Sequence, residues 1–202
     1  YTRVNLGLAT PDSSWTGVAY NAFKDEGNDA GGKKFFGEIN LWLQNGASWT
    51  NEAWGEPPDA YFGEDFSESH LKRLVGGESA DKAGHIFQKP GEDEDSEGIN
   101  IRVDDYKGFT NVYYGHKDEK PTDILGGTFT VTKAQPGSGI TLITDSKGLN
   151  VDSSKAADKN LASATLNALA NKLFYTAYKN GETNLTGKVE IAEGLPASSL
   201  SK

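Results

Sequence analysis

The sequence predicts a mainly all-β chain with one long α-helix near its C-terminal end. Three observations predict it. Short stretches alternate apolar and polar residues with a period of two, from Val4 through to Ile191. Glycine makes up 24 of the 202 residues, well above the average of about 7%, so the chain turns often. One stretch, Lys155 to Tyr178, abandons period two for helical spacing.

The strands follow in order. "VNLGL" places Val4, Leu6 and Leu8 on one face. "EINLWLQ" places Ile39, Leu41 and Leu43 on one face, with Asn40, Trp42 and Gln44 opposite. "INIRVDDY" sets Ile99, Ile101 and Val103 against Asn100, Arg102 and Asp104. "GTFTVTKA" carries Phe129 and Val131, "GITLIT" carries Ile140 and Leu142, and "GKVEIAEG" carries Val189 and Ile191. Each has one apolar and one polar face, as a half-buried strand does. Gly-Gly, Asn-Gly and Gly-Ser-Gly turns supply the positive φ angles of tight corners. Longer polar connectors run over 13–34, 52–69 and 88–98, and the last holds the self-repelling carboxylates of "GEDEDSEG".

The helix rests on Leu166, Leu169, Leu173, Phe174 and Ala177 at helical spacing in an alanine-rich segment. Asp152, Ser153 and Ser154 supply its N-cap, and Asn180–Gly181 its stop. The segment is amphipathic and is expected to pack across an open face or end of the β structure.

Sandwiches place strands at an even spacing of about 8–12 residues. Here the spacing is irregular. "SSWTG" and "ASWTN" echo each other with Trp15 and Trp49 34 positions apart, wide enough for more than one rung of a solenoid. A parallel β-helix accommodates loops of any length at its corners. The expected organisation is a solenoid segment over 1–150, then over 151–202 a helical insertion (about 155–178) and a return strand of the same domain.

Charge and composition exclude several functions. A net charge of −9 and a pI near 4.8 oppose binding to nucleic acid or docking on an anionic membrane. No apolar run reaches the roughly 18 residues of a membrane span, so no membrane insertion by this segment is expected. No basic, apolar leader opens the sequence. There is no cysteine, so neither a disulfide framework nor a thiolate nucleophile exists. Methionine is absent even at position 1, which is most simply read as a processed piece of a longer chain. The small polar residues of "LPASSLSK" fit the same reading.

The tryptophans carry the binding hypothesis. Trp42 alternates away from the apolar face of its strand, while Trp15, Trp49 and Trp54 follow turns. Trp42, Trp49, Trp54 and Tyr61, with Phe62 and Phe66 nearby, compose a candidate stacking platform for sugars or a protein partner. The competing reading has each tryptophan cap the core beneath a long loop.

His70, His85 and His116 stand apart in sequence, read as polar surface residues, and suggest no metal site. Glu92, Asp93, Glu94 and Asp95 lack the alternation of a calcium loop, leaving only weak cation association. Asn184 opens a glycosylation sequon that matters only in a eukaryotic secretory pathway. The strongest catalytic constellation is Asp104–Asp105 with Gly115–His116, loosely like the carboxylates and Gly-His of β-helical pectin hydrolases. Adjacent strand residues point to opposite faces, so Asp104 and Asp105 converge only through a bulge. That family's Asn-x-Asp and Arg-x-Lys motifs are missing. No nucleophile elbow or phosphate loop is present. No catalytic residue, metal or cofactor is therefore assigned.

"SSWTGVAYNAF", "GEINLWLQNGASWTNE", "HLKRLVGG" and "GGTFTVTKA…GITLITDSKGLN" together resemble the passenger region of bacterial autotransporters, the type V secreted surface proteins. "ATLNALANKLFYTAYKNGETNLTGKVEIAEGL" resembles a helical interruption of some large passengers. The resemblance implies a right-handed parallel β-helix, extracellular at the bacterial cell surface and stacked on neighbouring coils of its parent chain. Ser-Trp-Thr would mark equivalent positions on successive coils. The implied role is non-enzymatic adhesion, with a host glycan or extracellular protein as partner. A β-helical polysaccharide-active enzyme and a structural spacer are the alternatives.

Overall fold

The structure, a computed structural model, describes residues 2–20, 37–52, 68–91, 98–149 and 156–195. Within them the chain is mainly β, with parallel sheets and one α-helix. The strands are β1 Thr2–Leu8, β2 Ser14–Gly17, β3 Gly37–Leu43, β4 Ser48–Asn51, β5 Glu68–Val75, β6 Gly84–Gln88, β7 Asn100–Lys107 and β8 Phe109–Tyr114. After a small antiparallel hairpin, β9 His116–Lys117 and β10 Lys120–Ile124, come β11 Phe129–Ala134 and β12 Ser138–Asp145. Helix α1, Ala156–Ala170, precedes β13 Leu173–Tyr175 and β14 Leu185–Ala192.

Two six-stranded sheets divide these strands. The first runs β1-β3-β5-β7-β11-β13 and the second β14-β12-β8-β6-β4-β2. All pairings within them are parallel. Hairpin aside, successive strands alternate between the sheets. Equivalent residues therefore stack in rows.

In the first sheet Leu6, Leu41, Leu74, Tyr106 and Ala134 form one row. In the second the row is Trp15, Trp49, Ile86, Val112, Leu142 and Val189. These rows face a shared interior, where Leu41, Leu74, Tyr106, Trp49, Val112 and Leu142 are fully buried. Each such side chain contributes about 1.5–3 kcal/mol by leaving water. The Tyr106 hydroxyl reaches the second sheet, 2.6 Å from both the Gly139 carbonyl and Thr110 Oγ1.

A polar row runs beside the apolar one. Ser69 Oγ donates to Asn51 Oδ1 (2.7 Å), and Asn51 Nδ2 donates to Gln88 Oε1 and the Ile99 carbonyl (both 2.8 Å). Gln88 Nε2 and the Tyr114 hydroxyl both donate to the Gly127 carbonyl. Ser69 Oγ also accepts from the Ala19 amide, which ties the segment after β2 to β5. These side chains satisfy backbone groups where the chain leaves the second sheet, groups otherwise costly to bury.

The corner after β3 bears out its Asn-Gly signature. Asn45 and Gly46 have φ of 55° and 79°, and their amides donate to the carbonyls of Lys82 and Ala83. Gly77 meets the same loop so closely that an added Cβ would lie 1.8 Å from the Lys82 carbonyl oxygen.

Two expectations need correction. The helix ends at Ala170 instead of Tyr178. Leu173 and Tyr175 pack against the core while Phe174 is 51% exposed, a period of two, and the three residues pair with Phe129–Val131. Pairing on the open edge of β11 gives those backbone groups partners that a longer helix would forgo. Gly181, at φ 78°, stops the 3-10 turn Thr176–Asn180 and not the helix. The expected cap residues 152–154 lie outside the described residues. Second, Trp15 and Trp49 occupy directly adjacent strands, in register, so 34 positions separate neighbours and not distant rungs.

Helix α1 packs on β10, β12 and β14, with Thr165 and Leu169 fully buried. Among the described residues no helix is long and apolar enough to cross a membrane.

Candidate binding face

Trp42 sits in β3 between Leu41 and Leu43, both fully buried. Strand alternation sends its indole to the outer face of the first sheet. It is half-buried yet does not belong to the core. Its in-register neighbours are Gly7 on β1 and Val75 on β5. Among the described residues a Cβ on Gly7 would meet nothing within 4 Å, and Gly7 is exposed, so the β1 flank of the indole is open. Along the same face Asn40 Nδ2 donates to Asn5 Oδ1 at 2.9 Å.

The outer face continues as a charged lattice. Three neighbouring strands repeat one pattern: Leu71-Lys72-Arg73-Leu74, Val103-Asp104-Asp105-Tyr106 and Val131-Thr132-Lys133-Ala134. In each, both flanking residues are buried and the two polar residues between them reach solvent. Alternation slips by one residue at the same level of each strand, while the register between the strands stays one-to-one. Asp104 and Asp105 therefore share the outer face, which regular alternation forbids.

Asp104 is already engaged. His70 Nε2 lies 2.9 Å from Asp104 Oδ1, and Lys72 Nζ lies 3.7 Å from Asp104 Oδ2. Arg102 Nη2 is 3.4 Å from His70 Nδ1, and Arg102 Nε is 3.1 Å from Glu68 Oε1. Guanidinium only donates, so His70 Nδ1 accepts and its Nε2–H donates to Asp104. At the next level Arg73, Asp105 and Lys133 stand in register, and Lys107 stands beside Val75.

The predicted site residues separate. Trp49 is corrected: it is fully buried, its Nε1–H donates to the Gly17 carbonyl at 3.0 Å, and it offers no surface to a ligand. For Trp49 the core-capping alternative holds. Trp54, Tyr61, Phe62 and Phe66 lie outside the described residues, as do Glu92, Asp93, Glu94 and Asp95. Trp42 alone of the four platform residues is described on an accessible face.

The histidines are corrected too. All three have specific partners. His116 has a side chain only 2% exposed, with Nε2 2.6 Å from Asp145 Oδ1 and Nδ1 2.8 Å from the Lys117 carbonyl. His85 Nδ1 meets the Tyr113 hydroxyl at 2.9 Å, and burial lowers its pKa below the usual histidine value. Burial also raises the Tyr113 hydroxyl, whose ring stacks on Phe87 at 5.0 Å. The Asp104–Asp105 pair and His116 are not brought together: Asp104 joins His70 on the first sheet, whereas His116 joins Asp145 at the end of β12. Among the described residues no group of three or more His, Asp or Glu could hold a metal ion.

Sequence reasoning passed over Arg73, Lys107 and Lys133. The signal was present as the threefold apolar-polar-polar-apolar pattern, which aligns these strands once it is noticed. No protein-family model matches the chain, and comparisons with curated proteins and with solved structures return no match.

Proposed function

We propose that this chain is a right-handed parallel β-helix segment of a surface-displayed, autotransporter-type passenger, extracellular at the bacterial surface. Its role is non-enzymatic: it presents a rigid lateral face that binds a host glycan or extracellular protein. The observation carrying the binding role is Trp42, an outward indole with an open flank over Gly7, set on a sheet face that it shares with Val75 and a lattice of charged side chains. Solvent-facing aromatic rings bind sugar and protein surfaces because one ring offers a large apolar area and a polar edge. The solenoid reading is supported by strands that alternate between two parallel sheets in register. In this reading neighbouring coils of a longer chain pair with the outermost strands of the two sheets, as a sheet edge invites.

A glycan and extracellular-matrix array probed with the chain and with Trp42→Ala tests the proposal. A specific hit lost in the variant is expected. A blank array would support the spacer reading, and turnover of a polysaccharide that is lost in Asp104→Asn or His116→Ala would favour the enzyme.

A further inference from the structure

We propose that the ligand of the Trp42 face is an anionic glycan, held by Arg73, Lys107 and Lys133 while a sugar ring stacks on the indole. The inference rests on the binding role of that face and names the chemistry it selects. The chain carries a net charge of −9, so a generic patch of its surface would repel polyanions. The outer face beside Trp42 departs from that balance. Lys72, Arg73, Arg102, Lys107 and Lys133 stand there against three carboxylates, Glu68, Asp104 and Asp105, and Glu68 is paired with Arg102.

Lys72, Arg73, Lys107 and Lys133 are exposed. Lys72 is partly neutralised by Asp104 at 3.7 Å. Arg73, Lys107 and Lys133 make no ion pair among the described residues, although Asp105 stands in register between Arg73 and Lys133.

The arrangement is directional. Gly7, Trp42, Val75 and Lys107 form one row across four strands. With strands about 4.8 Å apart, Lys107 lies roughly 10 Å from Trp42 across the sheet. Arg73 lies on the strand next to Trp42, beside Asn40. A linear polymer laid across the strands from Trp42 meets a ring platform first and cations next. Uronate and sulfate glycans share the required chemistry, a pyranose face with pendant anions. An acidic peptide supplies the charge and lacks the ring face.

Titration of the whole chain with heparin, hyaluronate, neutral dextran and poly-glutamate tests this, using intrinsic fluorescence and calorimetry at 50 and 200 mM salt. Heparin or hyaluronate should bind, and the two arms tell sulfate from carboxylate. Affinity should fall several-fold at the higher salt, because exposed charges are screened. Arg73→Ala with Lys107→Ala should weaken binding about tenfold or more at low salt, and Trp42→Ala should abolish it. All three positions reach solvent, so unchanged circular dichroism and a retained cooperative melt certify the variants as folded.

Dextran binding that is lost in Trp42→Ala but unmoved by the charge variants would overturn the anionic inference and leave the binding face standing. Poly-glutamate binding as tightly as the glycans would overturn the assignment to sugar. Failure of every glycan to bind would overturn the inference, and a blank extracellular-matrix array as well would overturn the reading beneath it.

Discussion

Trp15 and Trp49 stack with ring centroids 5.2 Å apart and planes 7° from parallel. They are directly opposed on neighbouring strands, and only Trp49 is fully buried. The repeated Ser-Trp-Thr is therefore a packing device: identical residues meet their own copies one strand over. Replacing Trp49 by Ala should cost about 3–5 kcal/mol, the range for large aromatic residues removed from cores. Trp42→Ala should cost far less, because its ring is not part of the core. Chemical denaturation of the two variants side by side checks the contrast, and equal losses would contradict it.

Asn51 anchors the polar row. Its amide serves Ser69, Gln88 and the Ile99 carbonyl, so Asn51→Ala strands several buried groups at once. Each unsatisfied group costs about 1–3 kcal/mol. The variant should lose several kcal/mol by urea denaturation, with faster hydrogen exchange at the Ala19 and His70 amides, which this corner holds. A loss below 1 kcal/mol would show that water replaces the side chain.

Acid stability should depend on His85. Burial depresses its folded-state pKa below 6.5, so the unfolded chain binds the proton more readily. The stabilisation is complete above 6.5 and is lost as pH falls through the lower folded value. Unfolding free energy measured between pH 7.5 and 5 should decline less steeply in His85→Gln than in the parent chain. Parallel curves would refute the assignment.

Alkaline stability follows from three tyrosines. Burial raises the hydroxyls of Tyr106, Tyr113 and Tyr114 above the ordinary value of 10. Their contribution is intact below pH 10 and is lost as pH rises beyond it, because the unfolded chain ionises first. Ultraviolet phenolate titration should show a delayed fraction that ionises together with unfolding. Titration of all eight tyrosines as one free class would contradict their burial.

Much of this fold is readable from local pattern. Period two marks β3, β7, β11 and β14 because one face of each meets the core. Asn45–Gly46 marks its corner because those φ angles exclude most residues. Three features were hidden for physical reasons. Leu173 and Phe174 satisfy both helical and strand spacing, and only pairing with β11 decides between them. The Asn51–Gln88 bond joins residues 37 positions apart, and nothing local distinguishes a buried amide from a turn residue. The outward step in β5, β7 and β11 breaks alternation, so a local reading assigns Asp105 to the wrong face.

The candidate site divides similarly. Trp42 was legible because alternation alone fixes its direction. Trp49 was not, since its burial depends on the Trp15 ring and the Gly17 carbonyl across the sheet. Arg73 and Lys107 join Trp42 only after three strands are aligned.

The binding face exists only because strands far apart in sequence lie side by side in register. The chain has no cysteine, so Arg73→Cys with Lys133→Cys accepts spin labels at those two sites alone. Both are exposed, and Asp105 is the register partner of each. Two strand spacings place their backbones about 10 Å apart. The account predicts a spectrum strongly broadened by dipolar coupling. A spectrum equal to the sum of the two singly labelled chains would contradict the stacked sheets and the binding face built on them.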